Sequence, residues 1–130
     1  MTKQQEVSTL VPKLWQITQK IFILLPWLWL SLLLLLILGA VSQTGSWPTY
    51  GQPDPKQIPG LGLLVTPTTL LMMLTLASLP FGLFFTAFAA NQAWSHAVNK
   101  KHTAFYLIGV FLFLVILFGD VAGIMTWLLD

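Results

Sequence analysis

The residue best suited to carry chemistry is Asp120, the one acidic side chain inside a long apolar stretch of this 130-residue sequence. If that stretch crosses a membrane as a straight helix, Asp120 lies about 13 Å below its outer end, at 1.5 Å per residue. Ser31, Thr75 and Ser78 fall roughly 10–15 Å deep in two other apolar stretches. These four residues form a candidate intramembrane polar site.

Three interpretations of Asp120 remain open. An ionised carboxylate at this depth is unfavourable by about 2.5–3.5 kcal/mol, so desolvation favours the protonated form. The acid then either handles a proton or cation, or stays neutral and hydrogen-bonds to a neighbouring helix. In the third interpretation the helix ends at residues 119–120, and residues 121–129 lie at the membrane interface.

No other groups converge on a site. The remaining acidic residues are predicted on different sides of the membrane or at other depths, so no carboxylate pair for acid–base catalysis is expected. His96 and His102 would stand about 240° apart on one helix, which prevents chelation from a common face. The chain has no Cys, no Gly-rich phosphate loop and no extended basic patch. We therefore expect no enzyme activity, cofactor, metal, nucleic acid or identifiable small-molecule substrate.

The composition places most of the chain in lipid. Hydrophobic residues make up 56% of it and charged residues 8%, against about 25% charged in soluble domains. The apolar stretches over residues 21–41, 67–90 and 104–129 each suffice to cross a ~30 Å hydrocarbon layer. Since lipid offers the backbone no hydrogen-bond partners, we predict an all-α membrane protein with three transmembrane helices in one domain, residues 1–130.

A rival interpretation makes the first stretch a cleaved signal peptide. Residues 40–42 are small enough for a cleavage site, but the apolar run exceeds the usual 7–15 residues of such a segment. We therefore expect the first stretch to remain as a transmembrane helix.

The lysines predict the orientation. Three of them precede the first span, in a lead-in over residues 1–20, and Lys100 and Lys101 lie in the loop 91–103. The positive-inside rule then places the N-terminus and this loop in the cytoplasm, and the loop 42–66 and the C-terminus outside. The lead-in either lies on the inner leaflet as an amphipathic sensor or extends the first helix. The absence of Arg and the topology favour a multi-pass protein of a bacterial inner membrane.

Small and hydroxylic residues form stripes on the second and third spans. The second stripe contains Thr68, Met72, Thr75, Leu79, Gly82, Thr86, Ala89 and Ala93, and the third contains His102, Tyr106, Gly109, Phe113, Ile116, Asp120, Gly123 and Trp127. A short inner loop favours an antiparallel hairpin, in which we predict that the stripes meet. The candidate helix-packing residues are Gly82, Thr86, Gly109, Gly119 and Gly123.

Two aromatic features accompany these stripes. Phe81, Phe84, Phe85 and Phe88 lie at helical spacing, a pattern typical of packing or lipid-facing surface rather than of a pigment or quinone site. In the Pro/Gly-rich outer loop, Trp47 and Tyr50 are expected at the headgroup level. With Asp54, which lies between two prolines, they form either a docking surface or an ordered connector.

Two functions are compatible with these features. The first is a non-catalytic accessory or interaction subunit, in contact with membrane lipid and with a partner protein or further copies of itself, because small-residue stripes bring helices together. The alternative is a proton- or ion-coupled transport component that uses Asp120.

Overall fold

The computed structural model describes residues 3–49, 54–89 and 100–129. Its elements are α1 (Lys3–Thr44), α2 (Gly62–Ala89), α3 (Lys100–Gly119), a 3₁₀ turn (Val121–Gly123) and α4 (Ile124–Leu129). Three helices are long and apolar enough to cross a membrane, over Ile17–Thr44, Gly62–Ala87 and Lys100–Gly119. The prediction of an all-helical chain with three candidate membrane-spanning helices is therefore confirmed.

The first helix is longer than its membrane span. At 1.5 Å per residue, the 42 residues of α1 extend over about 63 Å, roughly twice the hydrocarbon thickness. Residues 3–20 of the predicted lead-in belong to the same helix as the first span. This continuity agrees with the lead-in as a helix extension.

The second and third spans both pack along α1. In the described residues α1 lies against α2 and against α3, whereas α2 and α3 contact each other much less. The buried residues of α1 recur at helical spacing: Trp29, Leu33, Leu36, Ile37 and Ala40. Leu34, Leu35 and Leu38 face outward.

Aromatic rings fill the contact between α1 and α3. Trp29 meets Phe113 edge-on at a centroid distance of 4.8 Å, and Trp27 stacks on Phe105 at 4.4 Å. These rings bring α3 onto α1, whereas α2 and α3 contact each other much less. The stripes predicted to meet come together at Gly82 and Tyr106.

The stripe predicted on the second span nevertheless faces protein. Thr68 and Thr75 are fully buried, and Met72 and Gly82 are buried as well. On α3, Tyr106, Gly109 and Phe113 of the other stripe are buried. Small residues on both helices therefore lie in the bundle interior.

The third span is shorter than predicted. The predicted stretch 104–129 breaks after Gly119, because Asp120 (φ 39°), Ala122 (φ 57°) and Gly123 (φ 73°) have left-handed backbone conformations. A right-handed helix cannot continue through such residues. The structure thus matches the third interpretation of Asp120 in ending the helix at residues 119–120.

A hydrophobic cap closes the outer end of the bundle, the end that carries the C-terminus of α1. We define the outer cap as α4 with the loop segments 45–49 and 54–61. Its buried side chains share one cluster with those of α1 and α2: Ala40, Ile58, Leu61, Val65, Ile124, Met125, Trp127 and Leu128. The segment 124–129 therefore folds back onto the bundle instead of extending the third span.

A buried and an exposed phenylalanine on α3 provide a test of which face of this helix packs against the rest of the bundle. Phe113 is fully buried and Phe111 is 66% exposed. We expect Phe113→Ala to lower the free energy of unfolding by ~2 kcal/mol, less than the ~3–5 kcal/mol typical of soluble cores, because lipid is nearly as apolar as the core and only packing is lost. The matched Phe111→Ala should cost less than ~0.5 kcal/mol. Reversible unfolding in mixed micelles measures both, and equal losses would contradict the assigned face.

Candidate functional site

Asp120 binds the backbone that follows it. Its Oδ1 accepts hydrogen bonds from the backbone N–H groups of Met125 (2.7 Å) and Thr126 (3.1 Å). Its Oδ2 accepts a hydrogen bond from the Thr126 hydroxyl. The backbone N–H of Gly123 closes the turn on the Asp120 carbonyl at 2.8 Å. The carboxylate thus satisfies N–H groups that α4 leaves open at its start.

These hydrogen bonds favour the charged carboxylate. The hydroxyl of Thr126, followed by its backbone N–H, lowers the pKa of Asp120 below its usual value of 3.8. The group lies after the end of α3 and is half-buried. This environment is the opposite of the neutral, buried acid that the depth argument predicts.

The three hydroxyl residues grouped with Asp120 bind their own helices. Ser31 donates to the Trp27 carbonyl at 2.8 Å, Thr75 to the Leu71 carbonyl at 2.7 Å, and Ser78 to the Thr75 carbonyl at 2.8 Å. Among the described residues, none of these hydroxyls reaches Asp120. The structure therefore does not assemble the predicted polar layer, because the break after Gly119 removes Asp120 from the span.

A polar cluster lies instead at the inner end of the bundle, the end where α3 begins. Gln19 of α1, only 5% exposed, donates from Nε2 to the Thr103 hydroxyl of α3 at 3.0 Å. Beside this contact, residues of α1, α2 and α3 line a small, partly open cavity: Gln19, Phe22, Gly82, Phe85, Thr86, Thr103 and Tyr106. Its volume is about 10 Å³.

Gly82 allows Tyr106 to enter this cluster. A Cβ atom at Gly82 would lie 2.7 Å from Tyr106 Cζ and would overlap the hydroxyl. The Thr86 hydroxyl donates to the Gly82 carbonyl at 2.8 Å. Gly82 and Thr86, both predicted as packing residues, thus lie where α2 approaches α3.

Gly109 has the same role between α3 and α1. A Cβ atom there would lie 2.7 Å from Trp27 Nε1. The open space lets the Trp27 indole donate to the Phe105 carbonyl at 3.2 Å. The sequence does not predict this contact. It contains Trp27 and Gly109 but does not show that these two residues meet.

The two other glycines named as packing residues lie elsewhere. Gly119 is the exposed last residue of α3, and a Cβ atom there would meet only Val121 Cγ2, at 3.7 Å. Gly123 lies in the left-handed turn. They are not a close-approach pair on one helix, because the helix ends between them.

The outer loop is tied to the end of the third span. Trp47 donates from Nε1 to the Ala122 carbonyl at 3.3 Å and keeps 49% of its surface exposed. Asp54 Oδ1 accepts the backbone N–H of Lys56 at 2.8 Å. Tyr50 lies outside the described residues. Trp47 thus combines a structural contact with a half-exposed ring.

The remaining sequence candidates do not form a common site. Phe81 and Phe84 are exposed, whereas Phe85 is buried, 6.1 Å from the ring of Phe22. The described side chains of the predicted aromatic stripe are therefore divided between the surface and the core, and the side chain of Phe88 lies outside the described residues. His96 lies outside the described residues, and the part of the chain that the structure describes contains no cluster of three His, Asp or Glu side chains.

Gly82 provides a test of the close approach between α2 and α3. Gly82→Ala should lower the free energy of unfolding by roughly 1–3 kcal/mol, because the new methyl group displaces Tyr106. Gly119→Ala is the matched control, since its methyl group makes only an ordinary contact. Unfolding in mixed micelles and yield in membranes measure both. A Gly82→Ala variant as stable as the control would contradict the assigned contact.

The carboxylate of Asp120 makes stability depend on pH. Because its pKa is lowered in the folded protein, the stabilisation is complete above the ordinary value of 3.8 and is lost as the pH falls through the lower folded value. Asp120→Ala should therefore be less stable than wild type at neutral pH, and the difference should vanish in acid. Thr126→Val, which removes only the hydroxyl, should lose less. The free energy of unfolding, measured over a pH series, tests this prediction. A stability difference between Asp120→Ala and wild type that does not depend on pH would contradict the role assigned to the charged carboxylate.

Polar groups of the described residues thus converge at two places. At the outer end the carboxylate of Asp120 organises α4, and at the inner end Gln19, Thr86, Thr103 and Tyr106 border a small cavity. No protein-family model matches the chain, and no curated protein or solved structure is significantly similar to it.

Proposed function

We propose that this protein is a non-catalytic accessory or interaction subunit of a membrane assembly, joined to a partner protein or to further copies of itself. The narrow cavity between the described parts of the three spans carries this proposal. The cavity between the three spans has about 10 Å³, room for a single water molecule. Ligand pockets usually have ~300–1,000 Å³. Among the described residues, the surfaces that we consider for function are therefore the outward faces of the helices and the outer cap.

Large rings project from the outward faces. On α2, Phe81 and Phe84 are exposed, and on α3 so are Phe111 and Phe118. Aromatic side chains are enriched at protein contacts, and membrane helices associate through side-chain packing. These faces are suited to a neighbouring transmembrane helix as well as to lipid.

The charge distribution supports the orientation proposed for this subunit. The contact between Gln19 and Thr103 places the first part of α1 and the start of α3 at the same end. Lys20, Lys100 and Lys101 adjoin those residues in the sequence. By the positive-inside rule this end is cytoplasmic, with the N-terminus inside and the C-terminus outside. A bacterial inner membrane remains the proposed location.

The alternative, proton- or ion-coupled transport through Asp120, has less support. Transport would require the carboxylate to exchange protons or ions within the membrane. Both of its oxygen atoms instead accept hydrogen bonds from residues of α4. We therefore favour the interaction subunit.

Two adjacent methionines provide a matched test. Met73 is 59% exposed and Met72 is 8% exposed on the same turn of α2. A photoactivatable amino acid is placed at Met73, at the exposed Phe111 of α3, or at Met72 as the buried control, and is irradiated in native membranes. We expect a discrete adduct with another protein chain from Met73 or Phe111 and none from Met72.

The mass of the adduct separates a second copy from a different protein. Gentle extraction followed by native mass measurement should give the same assembly. Lipid adducts alone from both exposed positions, together with the native mass of a single chain, would contradict the proposal.

A further inference from the structure

The inner cavity contains an unsatisfied polar group that the proposed function does not use. Tyr106 is 3% exposed, and its hydroxyl has no hydrogen-bond partner among the described residues. The ring borders the cavity, and its Oη lies against Gly82, which borders the same cavity. Burial of a hydroxyl without a hydrogen-bond partner is unfavourable, so a polar partner in the cavity would stabilise the structure.

The cavity fits one small polar molecule. Its volume of about 10 Å³ is at the lower limit for a single water molecule. A buried water molecule also needs two or more polar neighbours. Tyr106 can donate to it, and the oxygen of Thr86, whose hydrogen is directed at the Gly82 carbonyl, can accept from it.

We propose that this cavity is a water-binding site, in which one water molecule accepts a hydrogen bond from Tyr106 Oη and donates one to Thr86 Oγ1. The water links α2 to α3 at the inner end, where Gly82 already brings the two helices into contact. The neighbouring hydrogen bond from Gln19 to Thr103 joins α1 to α3 at the same level. The site thus fastens three helices together, whether or not the protein has a partner.

Footprinting with hydroxyl radicals generated by X-rays tests the site on the wild-type protein in lipid nanodiscs. Radicals formed from a bound water molecule oxidise the side chains next to it. Tyr106 and Phe113 are both buried aromatic residues of α3, but only Tyr106 borders the cavity. We expect Tyr106 to be oxidised at least fivefold faster than Phe113. Rapid mixing with ¹⁸O-labelled water should show slower ¹⁸O incorporation at Tyr106 than at exposed Phe111.

Tyr106→Phe is the matched control, because it keeps the ring and removes the donor. Oxidation at position 106 should then fall to the rate of Phe113. Thr86→Val should reduce the oxidation of Tyr106 in the same direction, and the two substitutions together should destabilise the protein by less than the sum of their separate effects.

The result that overturns the proposal is oxidation of wild-type Tyr106 at the rate of Phe113. Fast oxidation that Tyr106→Phe leaves unchanged overturns it as well, since the water would then not depend on the hydroxyl. Neither outcome depends on a partner protein. A failure of the water site would therefore not contradict the proposed interaction role, which the photocrosslinking experiment tests separately.

Discussion

Everything in this structure depends on the need of a backbone in hydrocarbon to satisfy its own hydrogen bonds. That constraint makes each apolar stretch a helix, and it also governs where the helices stop. After Gly119 the backbone leaves the span through left-handed residues, and the carboxylate of Asp120 accepts hydrogen bonds from the open N–H groups of α4. Side-chain hydroxyls also find hydrogen-bond partners within the protein. Those of Thr68, Thr75 and Thr86 donate to carbonyls of their own helix.

Helix association then depends on shape. Lipid removes most of the hydrophobic drive between spans, so contacts form where one surface admits another closely. Gly109 admits the indole of Trp27, and Gly82 admits the ring of Tyr106. In both places a glycine on one helix leaves room for an aromatic ring of another helix. The helix that contributes most to these contacts is α1, which lies against both other spans.

The sequence predicts some features of this fold better than others. The three spans follow from hydropathy averaged over many residues, which tolerates local ambiguity. The inward face of α2 was predictable because Thr and Gly contrast with Leu along it. The inward face of α1 was not, since in the run from Leu32 to Leu36 buried and exposed positions carry the same residue. The sequence is compatible with three interpretations of Asp120 and does not single out the break, because an Ala in a left-handed conformation has no signal in the sequence. The inner cavity depends on residues of three distant segments, which one sequence does not pair.

In this structure α1 packs directly against α3. Since the chain has no Cys, a short bifunctional thiol reagent can test this in membranes with introduced cysteine pairs. The pair Gln19→Cys and Thr103→Cys replaces side chains whose polar atoms are 3.0 Å apart on α1 and α3. The pair Leu76→Cys and Leu112→Cys replaces exposed side chains on α2 and α3. The account predicts rapid crosslinking within one chain for the first pair and little for the second. The reverse order would contradict it.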